Sequence, residues 1–414
     1  MTPAAKGKSK PPVDFAATSS VITALVLLLG IVCLFNGARR VGKAFPGFFT
    51  AQNLIIVSIG RHGWAPQDAE RLPFAKLVAI NGRPVTNAVA LDAHARSVPP
   101  GTPVTYWALR GADLIEATVP TQIFTAADFL AVYGIYFFTG LCFTLAGWWA
   151  LRNGEGSAVT AFFITCETAS VLLFSGGDVY GPYWFTSLYF TAHAVMPAAV
   201  LHLASSYPEP IAPGSRERRI GLALIYGAVG LCAVALNRVQ FHPSIFLPFI
   251  YSVYLLLANA LLLYATRLGA AWWASKAAAE RRRLRLPLIG LLLSSTLPGI
   301  IFVIYPSMSG PISPALVVLP LAIFPLLTVR ALPLHSTPAT TTPRTALRLS
   351  LLFLGAVETT FLGGILFFLL NSGEQNIIDQ VAVNERLFAA ARAFLVQPVA
   401  DDSLATLEGL AQSP

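Results

Sequence analysis

The chain alternates long apolar runs with short polar connections, and one longer polar stretch interrupts this pattern near its start. A helix of about 20 apolar residues spans the ~30 Å hydrocarbon core of a bilayer. Nine runs meet this requirement: 19–36, 128–151, 157–176, 184–206, 219–237, 245–266, 286–305, 313–332 and 348–370. The uncharged stretch 286–329 counts as two spans, because the turn YPSMSGPISP divides it. The pattern predicts a mostly α fold, a polytopic bundle of about nine transmembrane helices.

These spans divide the chain into segments. Residues 1–18 form a basic N-terminus, 19–36 an anchor, 128–332 a bundle of seven helices, and 371–414 a tail after the ninth span. The basic start makes a cleaved signal peptide an alternative for the first span, but FNGARR lacks a clear small-x-small cleavage site, which favours an uncleaved anchor. The charged tail is expected to stay out of the bilayer as an amphipathic helix.

Lysine and arginine are unequally divided between alternate loops. The connections after the second, fourth, sixth and eighth spans hold thirteen cations, whereas the intervening short loops hold only Arg238. Cytoplasmic loops accumulate lysine and arginine. The N-terminus is therefore predicted to be cytoplasmic, with the polar stretch 37–127 and the tail on the opposite side.

Composition narrows the function classes. The chain is 55% hydrophobic and 12% charged, and its net charge of +8 comes from cations beside apolar runs rather than from a nucleic-acid-binding patch. The four cysteines lie in separate apolar runs without a CxxC pair, and HExxH does not occur. FSGGD offers a serine without a partner histidine at a convincing depth. We therefore expect no nucleic acid, metal, cofactor or catalytic residue.

Between residues 44 and 122 short strands and turns replace the spans. NLIIVSI is a β-branched run, and KLVAING ends in the turn signal Asn81-Gly82. A helix is expected next, with Thr86 or Asn87 as its N-cap, followed by a hairpin around Arg110 and Gly111. The pattern predicts a small extracytoplasmic α+β domain.

This stretch resembles the PDZ domains of bacterial membrane and periplasmic proteins. The matching positions are Ile80, Asn81, Gly82, Val85, Leu91, Gly101, Val104, Arg110 and Gly111. LPFAK stands where family members usually carry Gly-Asp. The resemblance implies that an extended peptide adds as a strand and that backbone amides upstream receive a carboxylate. The candidate residues for binding a peptide or protein partner are Ile59, Gly60, Arg61 and His62. The alternative is a packing or dimerisation module without a working groove.

Residues 20–370 are also similar, as a whole, to the N-terminal membrane module of bacterial sensor histidine kinases of the competence quorum-sensing type. The motifs are PAAVLHLASSYP around His202, the basic loop before the seventh span, and Phe324-Pro325. The resemblance implies a two-component signalling role in a bacterial cytoplasmic (inner) membrane. The kinase phosphoacceptor helix and nucleotide-binding boxes are missing after Leu370. We therefore expect no enzymatic activity, and either a sensing half alone or an output through a partner such as a kinase.

Polar residues at membrane depth are functional candidates because they are costly there. They are Glu167, His193, Asn259 and Glu358. Glu167 and His193 are predicted at similar depth on neighbouring helices, either as a pH-sensitive pair or as a structural hydrogen bond.

The segment WWASKAAAERRRLR carries a basic membrane-surface cluster, Arg281, Arg282, Arg283 and Arg285. It either attracts anionic lipid headgroups or serves only as a topology determinant and interfacial anchor.

The sequence therefore favours a membrane sensor or receptor that recognises a peptide or protein through the external domain and passes the signal to the helix bundle. The alternative is a non-catalytic accessory or scaffold subunit of a membrane complex. Transport is a third class, for which we find neither inverted repeats nor paired broken helices.

Overall fold

The computed structural model describes residues 13–61, 64, 72–110, 113–211, 215–304 and 312–332. These residues form a helical bundle with a small β-rich module inserted between the first and second long helices. The predicted ninth span 348–370, the tail 371–414, Glu358 and His62 lie outside the described residues.

The bundle contains eight helical segments long and apolar enough to cross a membrane within the described part of the chain. Its helices are α1 Val13–Ala38, α3 Ala126–Phe129, α4 Ile135–Asn153, α5 Ser157–Asp178, α6 Thr186–Ser206, α7 Arg216–Val239, α8 Pro243–Ala274, α9 Ala278–Ile304, α10 Pro314–Val317 and α11 Ile323–Ala331. A π-helical turn, Leu130–Gly134, joins α3 to α4, and a 3-10 turn, Leu319–Ala322, precedes α11. These segments overlap the first eight predicted spans, although the sixth ends at residue 274 rather than 266 and the seventh begins at residue 278 rather than 286. The chain is a multi-pass membrane protein by length and composition of its helices.

The module is a four-stranded antiparallel sheet with one helix. Its elements are β1 Ala44–Phe45, β2 Lys76–Ile80, β3 Arg83–Pro84, α2 Ala88–Ser97, β4 Pro103–Arg110, β5 Asp113–Pro120 and β6 Gln122–Ile123. The sheet order is β3-β2-β4-β5, and β1 pairs separately with β6, so the chain enters and leaves the module side by side.

Local sequence signals set the turns of the module as predicted. Asn81 and Gly82 both adopt left-handed backbone, with φ of 47° and 76°, and close the β2–β3 hairpin. Asn87 is the N-cap of α2, because its side-chain oxygen accepts a hydrogen bond from the Ala90 N–H at 2.8 Å. The expected β4–β5 hairpin is present, with Arg110 opposite Asp113.

The core of the module follows the two-residue period of its strands. Val104, Tyr106 and Ala108 of β4 are buried and form one apolar cluster with Ala88 and Leu91 of α2. Tyr106 makes an edge contact with Phe48, the ring centroids being 4.9 Å apart. The buried face therefore points towards α2 and the segment around residue 48.

A further hairpin, residues 49–57, extends this sheet beyond β2. The Val57 N–H donates to the Phe49 carbonyl at 3.0 Å, and the Ile56 N–H donates to the Ala75 carbonyl at 2.9 Å. The Leu77 N–H donates to the Leu54 carbonyl at 2.9 Å. We call this segment the 49–57 hairpin; it is one of the parts of the module that contact the bundle.

Candidate functional site

Three alternate loops of the bundle meet the module. The Tyr183 hydroxyl, between α5 and α6, donates to the Thr50 carbonyl at 3.1 Å. Asn53 Nδ2 donates to the Gln240 carbonyl, between α7 and α8, at 2.6 Å. Ile312, just before α10, bonds to the strand that continues the 49–57 hairpin. The three loops predicted to lie on the cation-poor side therefore sit at one end of the bundle, beside the module.

The loops at the opposite end are tied together by arginines. Arg218 Nη2 donates to the Ser206 hydroxyl at 2.6 Å, and Arg267 Nη2 donates to the Glu209 carbonyl at 2.8 Å. Arg283 Nε donates to the Ala331 carbonyl at the end of α11. These guanidiniums bind residues at or just beyond helix C-termini, where the backbone carbonyls lack helical partners.

Ile59 and Gly60, two of the candidate partner-binding residues, lie in an extended segment whose backbone is already bonded to the bundle. We call Ser58–Gly60 the 58–60 edge. The Gly60 N–H donates to the Ile312 carbonyl at 3.1 Å, and the Ile312 N–H donates to the Ser58 carbonyl at 2.7 Å. Ile59 is thereby paired in parallel with Ile312. The backbone groups that would receive an added peptide strand are bonded to the chain's own loop.

Arg61 anchors the end of this edge to the second span. Its guanidinium lies 2.6 Å from Asp128 Oδ1, and Trp64 Nε1 donates to the same oxygen at 3.1 Å. Thr125 donates to the other carboxylate oxygen through its N–H and its hydroxyl, at 2.8 and 2.6 Å. Asp128 is therefore fully hydrogen-bonded, and it completes a capping box at the start of α3.

Arg40, directly after α1, is the buried charge of the junction. Its Nη2 lies 2.8 Å from Asp92 Oδ1 on α2, and its Nη1 donates to the Tyr180 carbonyl. The guanidinium also lies over the Phe49 ring, 5.2 Å from its centroid. One side chain thus joins the first span, the module helix and the α5–α6 loop.

An aromatic cluster fills the space between module and bundle. Phe45, Phe49 and Trp64 come from the module side, and they pack with Phe124, Tyr133 and Tyr180. Phe49 stacks on Tyr180, with an angle of 12° between the ring planes and 5.2 Å between the ring centroids. Burial raises the pKa of the nearby Tyr183, so its hydroxyl stays protonated as a hydrogen-bond donor. Such an apolar interface resists relative motion of the two parts.

A cleft of about 590 Å³ opens beside this interface. Its walls come from the 49–57 hairpin, the α5–α6 loop with the start of α6, and the α7–α8 connection. The lining residues are Gln52, Tyr183, Trp184, Thr186, Ser187, Asn237, Arg238, Val239, Gln240, Phe241 and His242.

Glu167 and His193 do not form the pH-sensitive pair, which was one of the two alternatives for them. Thr23 of α1 donates to Glu167 Oε1 at 2.8 Å, while the His193 ring lies between Tyr189 and Tyr254, at centroid distances of 5.2 and 4.9 Å. No ion pair joins Glu167 to His193, because the two side chains face different helices. Asn259 Nδ2 donates to the Leu255 carbonyl of its own helix at 2.9 Å.

The basic cluster is only partly free to meet a membrane surface. Arg281 Nε donates to the Ser275 carbonyl at 2.8 Å and its guanidinium lies over Trp272, while Arg283 holds Ala331. Arg282 and Arg285 are exposed. Two of the four arginines therefore fasten helix ends.

Sequence reasoning missed Arg40, Asp92 and Asp128 as functional residues. The position of Arg40 could have indicated its role. It directly follows an apolar run on the side where loops have few lysines and arginines, and such an exception to the positive-inside rule suggests a specific partner. Nothing local in the sequence indicates that Asp92 is that partner.

Among the described residues no three histidine, cysteine or acidic side chains are grouped closely enough to hold a metal ion. The four cysteines are free. Comparison with protein-family models, with curated proteins and with solved structures gives no match.

Proposed function

We propose that the chain is an integral membrane receptor with the module on the extracytoplasmic side of a bacterial cytoplasmic membrane. The module receives an extended peptide, or a segment of a protein partner, and the helix bundle responds. The charge of the loops supports placing the module on the extracytoplasmic side. Arg238 is the only lysine or arginine in the three short loops that meet the module, whereas the loops at the other end hold thirteen.

One observation carries the proposal: the 58–60 edge is held by Ile312 through two backbone hydrogen bonds. Strand addition needs these same backbone groups. A peptide must therefore displace Ile312, which directly precedes α10 and α11. Because the ligand binds only the state in which Ile312 has left, its binding energy shifts the position of those helices.

The resemblances noted in the sequence support the same proposal. A PDZ-like module implies peptide recognition by strand addition, and the similarity to sensor histidine kinases implies output through a kinase partner. The LPFAK segment departs from the PDZ pattern, so the proposal depends on the backbone edge and not on a carboxylate-binding loop.

A disulfide that locks the edge tests the proposal. The variant Ile59→Cys/Ile312→Cys replaces the paired residues, and the probe is a displayed library of extended peptides, selected on the wild-type chain in lipid nanodiscs. The single variant Ile312→Cys is the control for the substitution itself. We expect the selected peptides to bind the wild type, the control and the reduced double variant.

The oxidised double variant is expected to lose this binding by at least about tenfold, since the peptide has to break a covalent link. Recovery of binding after reduction completes the test. Selected peptides that bind the oxidised and reduced forms equally would contradict recognition at the 58–60 edge.

A scaffold subunit is the second candidate function. The observation that favours it is the buried aromatic cluster, which holds the module as a fixed platform on the bundle. Amide hydrogen exchange separates the two functions: a receptor changes exchange in 314–331 when a selected peptide binds, whereas a scaffold binds the peptide with exchange there unchanged.

A further inference from the structure

The cleft beside the module has the size and lining of a ligand site. Its volume of about 590 Å³ lies within the range of roughly 300–1,000 Å³ typical of small-molecule pockets. Among the described residues no acidic side chain lines it, and Arg238 is the one permanent cation in its wall. Arg238 is exposed and has no ion pair or hydrogen bond within the described part of the chain.

Helix ends around the cleft add positive potential. The first turn of α6 contributes Thr186 and Ser187 to the wall, and α8 begins immediately after His242; neither helix has a side-chain cap. Asp178 Oδ2 already accepts from the Phe185 N–H at 2.6 Å, and α8 begins with Pro243, which has no N–H. The N–H groups that this end of α6 offers to an anion in the cleft are therefore those of Thr186 and Ser187, in its first turn.

The one helix C-terminus at the cleft, that of α7, is capped instead. Asn237 Nδ2 donates to the Ala233 carbonyl at 2.9 Å, and Gln240 Nε2 donates to the Asn237 carbonyl at 3.0 Å. Together with Asn53, which holds the Gln240 carbonyl, Gln240 therefore satisfies carbonyls at this end of the helix. The exposed groups that remain favour an anionic ligand.

An apolar stripe on α7 leads up to the cleft. Leu224, Leu231 and Val234 are 69, 76 and 63% exposed, and their spacing places them on the same helix face as Arg238. At the mouth of the cleft, Trp184 and Phe241 are 63 and 53% exposed, as aromatic side chains at a membrane–water boundary are. The surface fits a molecule with an anionic head and an acyl chain.

We propose that this cleft binds the anionic headgroup of a phospholipid from the leaflet on the module side, with an acyl chain along the α7 stripe. The phosphate accepts hydrogen bonds from Arg238 and from the first turn of α6. Because Gln52 of the 49–57 hairpin forms one wall, the lipid contacts the module and the bundle together. The site does not depend on peptide binding at the 58–60 edge.

Quenching of Trp184 fluorescence by brominated lipid tests the site in the full chain. Nanodiscs of unlabelled phosphatidylcholine receive a small fraction of either brominated phosphatidylglycerol or brominated phosphatidylcholine. The variant Trp184→Phe, measured in parallel, isolates the signal of Trp184 from the other tryptophans. We expect phosphatidylglycerol to be enriched at Trp184 by about tenfold, the effect of one charge-assisted hydrogen bond.

Two substitutions of exposed cations make the test specific. Arg238→Gln is expected to abolish the enrichment and Arg238→Lys to retain most of it. The matched control is Lys43→Gln, which removes an exposed positive charge at the module end, outside the cleft, and is expected to leave the enrichment unchanged. Equal quenching by both lipids in the wild type, or an equal loss in the Lys43 variant, would overturn the proposal.

A further arm distinguishes the lipid from a soluble anion. Excess inorganic phosphate is expected to leave the lipid enrichment in place, since it lacks the acyl chain that the α7 stripe binds. Displacement of the lipid by inorganic phosphate would assign the cleft to a free anion instead and overturn the lipid proposal.

Discussion

The glycines of α1 and α4 lie in close contact with neighbouring side chains, whereas those of α7 do not. A Cβ on Gly37 of α1 would lie 2.4 Å from the Tyr133 ring, and one on Gly140 of α4 would lie 2.5 Å from the Phe174 ring. In α7, a Cβ on Gly227 or Gly230 would meet nothing within 4 Å. The apolar stretch of α5 is 61% buried, against 17% for α7.

The difference separates a tightly packed region, formed by α1, α4 and α5, from a peripheral helix. Small residues let helices approach closely in membranes, where apolar burial alone gives no advantage over lipid. The tight region is also the one that Arg40 and the aromatic cluster join to the module. We therefore infer that α1, α4 and α5 hold the module in place on the bundle, whereas the surface of α7 is free to bind lipid.

Removal of the buried charge at the junction should give the largest effect. Arg40→Met leaves Asp92 without its closest cation and the Tyr180 carbonyl without its donor. We expect a loss of about 3–5 kcal/mol in the free energy of unfolding, the cost of breaking a buried pair. Steric-trapping measurements in bicelles check it.

Arg39→Met is the control for this experiment. Arg39 is exposed and contacts only the Phe35 ring, at 5.4 Å from the centroid, among its described contacts, so its loss should cost at most about 1 kcal/mol. Equal losses for Arg39 and Arg40 would mean that the junction is not held by the Arg40 contacts.

Alanine at the glycines should then distinguish the two regions by the sign of the effect. Gly37→Ala and Gly140→Ala are expected to destabilise by about 1–3 kcal/mol, because the added methyl groups would overlap the buried Tyr133 and Phe174 rings. Gly230→Ala should be neutral or stabilise by up to about 1 kcal/mol, through helix propensity alone. Similar values at all three positions would refute the comparison.

A smaller effect should come from the loop that Arg40 holds. Gly181 has φ of 113°, and a Cβ there would lie 2.7 Å from Arg40 Nη1. Gly156 has a similar φ, 102°, with nothing within 4 Å. Both alanine variants incur backbone strain, but only Gly181→Ala should also disturb Arg40, by about 1 kcal/mol more. Thermal unfolding of the pair measures this difference.

The smallest effect should come from the intramembrane polar residues. Thr23→Val removes the donor to Glu167 and is expected to cost about 0.6 kcal/mol, the typical value of an interhelical hydrogen bond in a membrane. Asn259→Leu should be neutral, because Asn259 bonds only to its own helix among the described residues. A cost at Asn259 larger than at Thr23 would reverse this assignment.

Sequence patterns predicted the structural features that depend on residues close together in the chain, namely helices, turns and caps. Apolar run length located the first eight spans, and Asn81-Gly82 and Asn87 set the β2–β3 turn and the start of α2. The distribution of lysine and arginine predicted that three alternate loops lie on the same side, and these are the loops that meet the module.

Contacts between distant segments were not predictable in this way. Hydropathy gives the depth of Glu167 and His193 but not the rotation of their helices, so it left a pair between them open, whereas Glu167 faces Thr23. The parallel pairing of Ile59 with Ile312 joins segments with no complementary pattern of their own. Such contacts are set by the packing of the whole bundle.

The backbone pairing between the 58–60 edge and Ile312 is tested by amide hydrogen exchange at Gly60, measured on the full chain in nanodiscs. We expect this amide to be protected in the wild type, because it donates to the Ile312 carbonyl. Ile312→Pro, which removes the N–H that donates to Ser58, should weaken the pairing and reduce the protection. If the Gly60 amide of the wild type exchanges at the rate of an exposed amide, Ile312 does not occupy the 58–60 edge and the proposed mode of peptide recognition is contradicted.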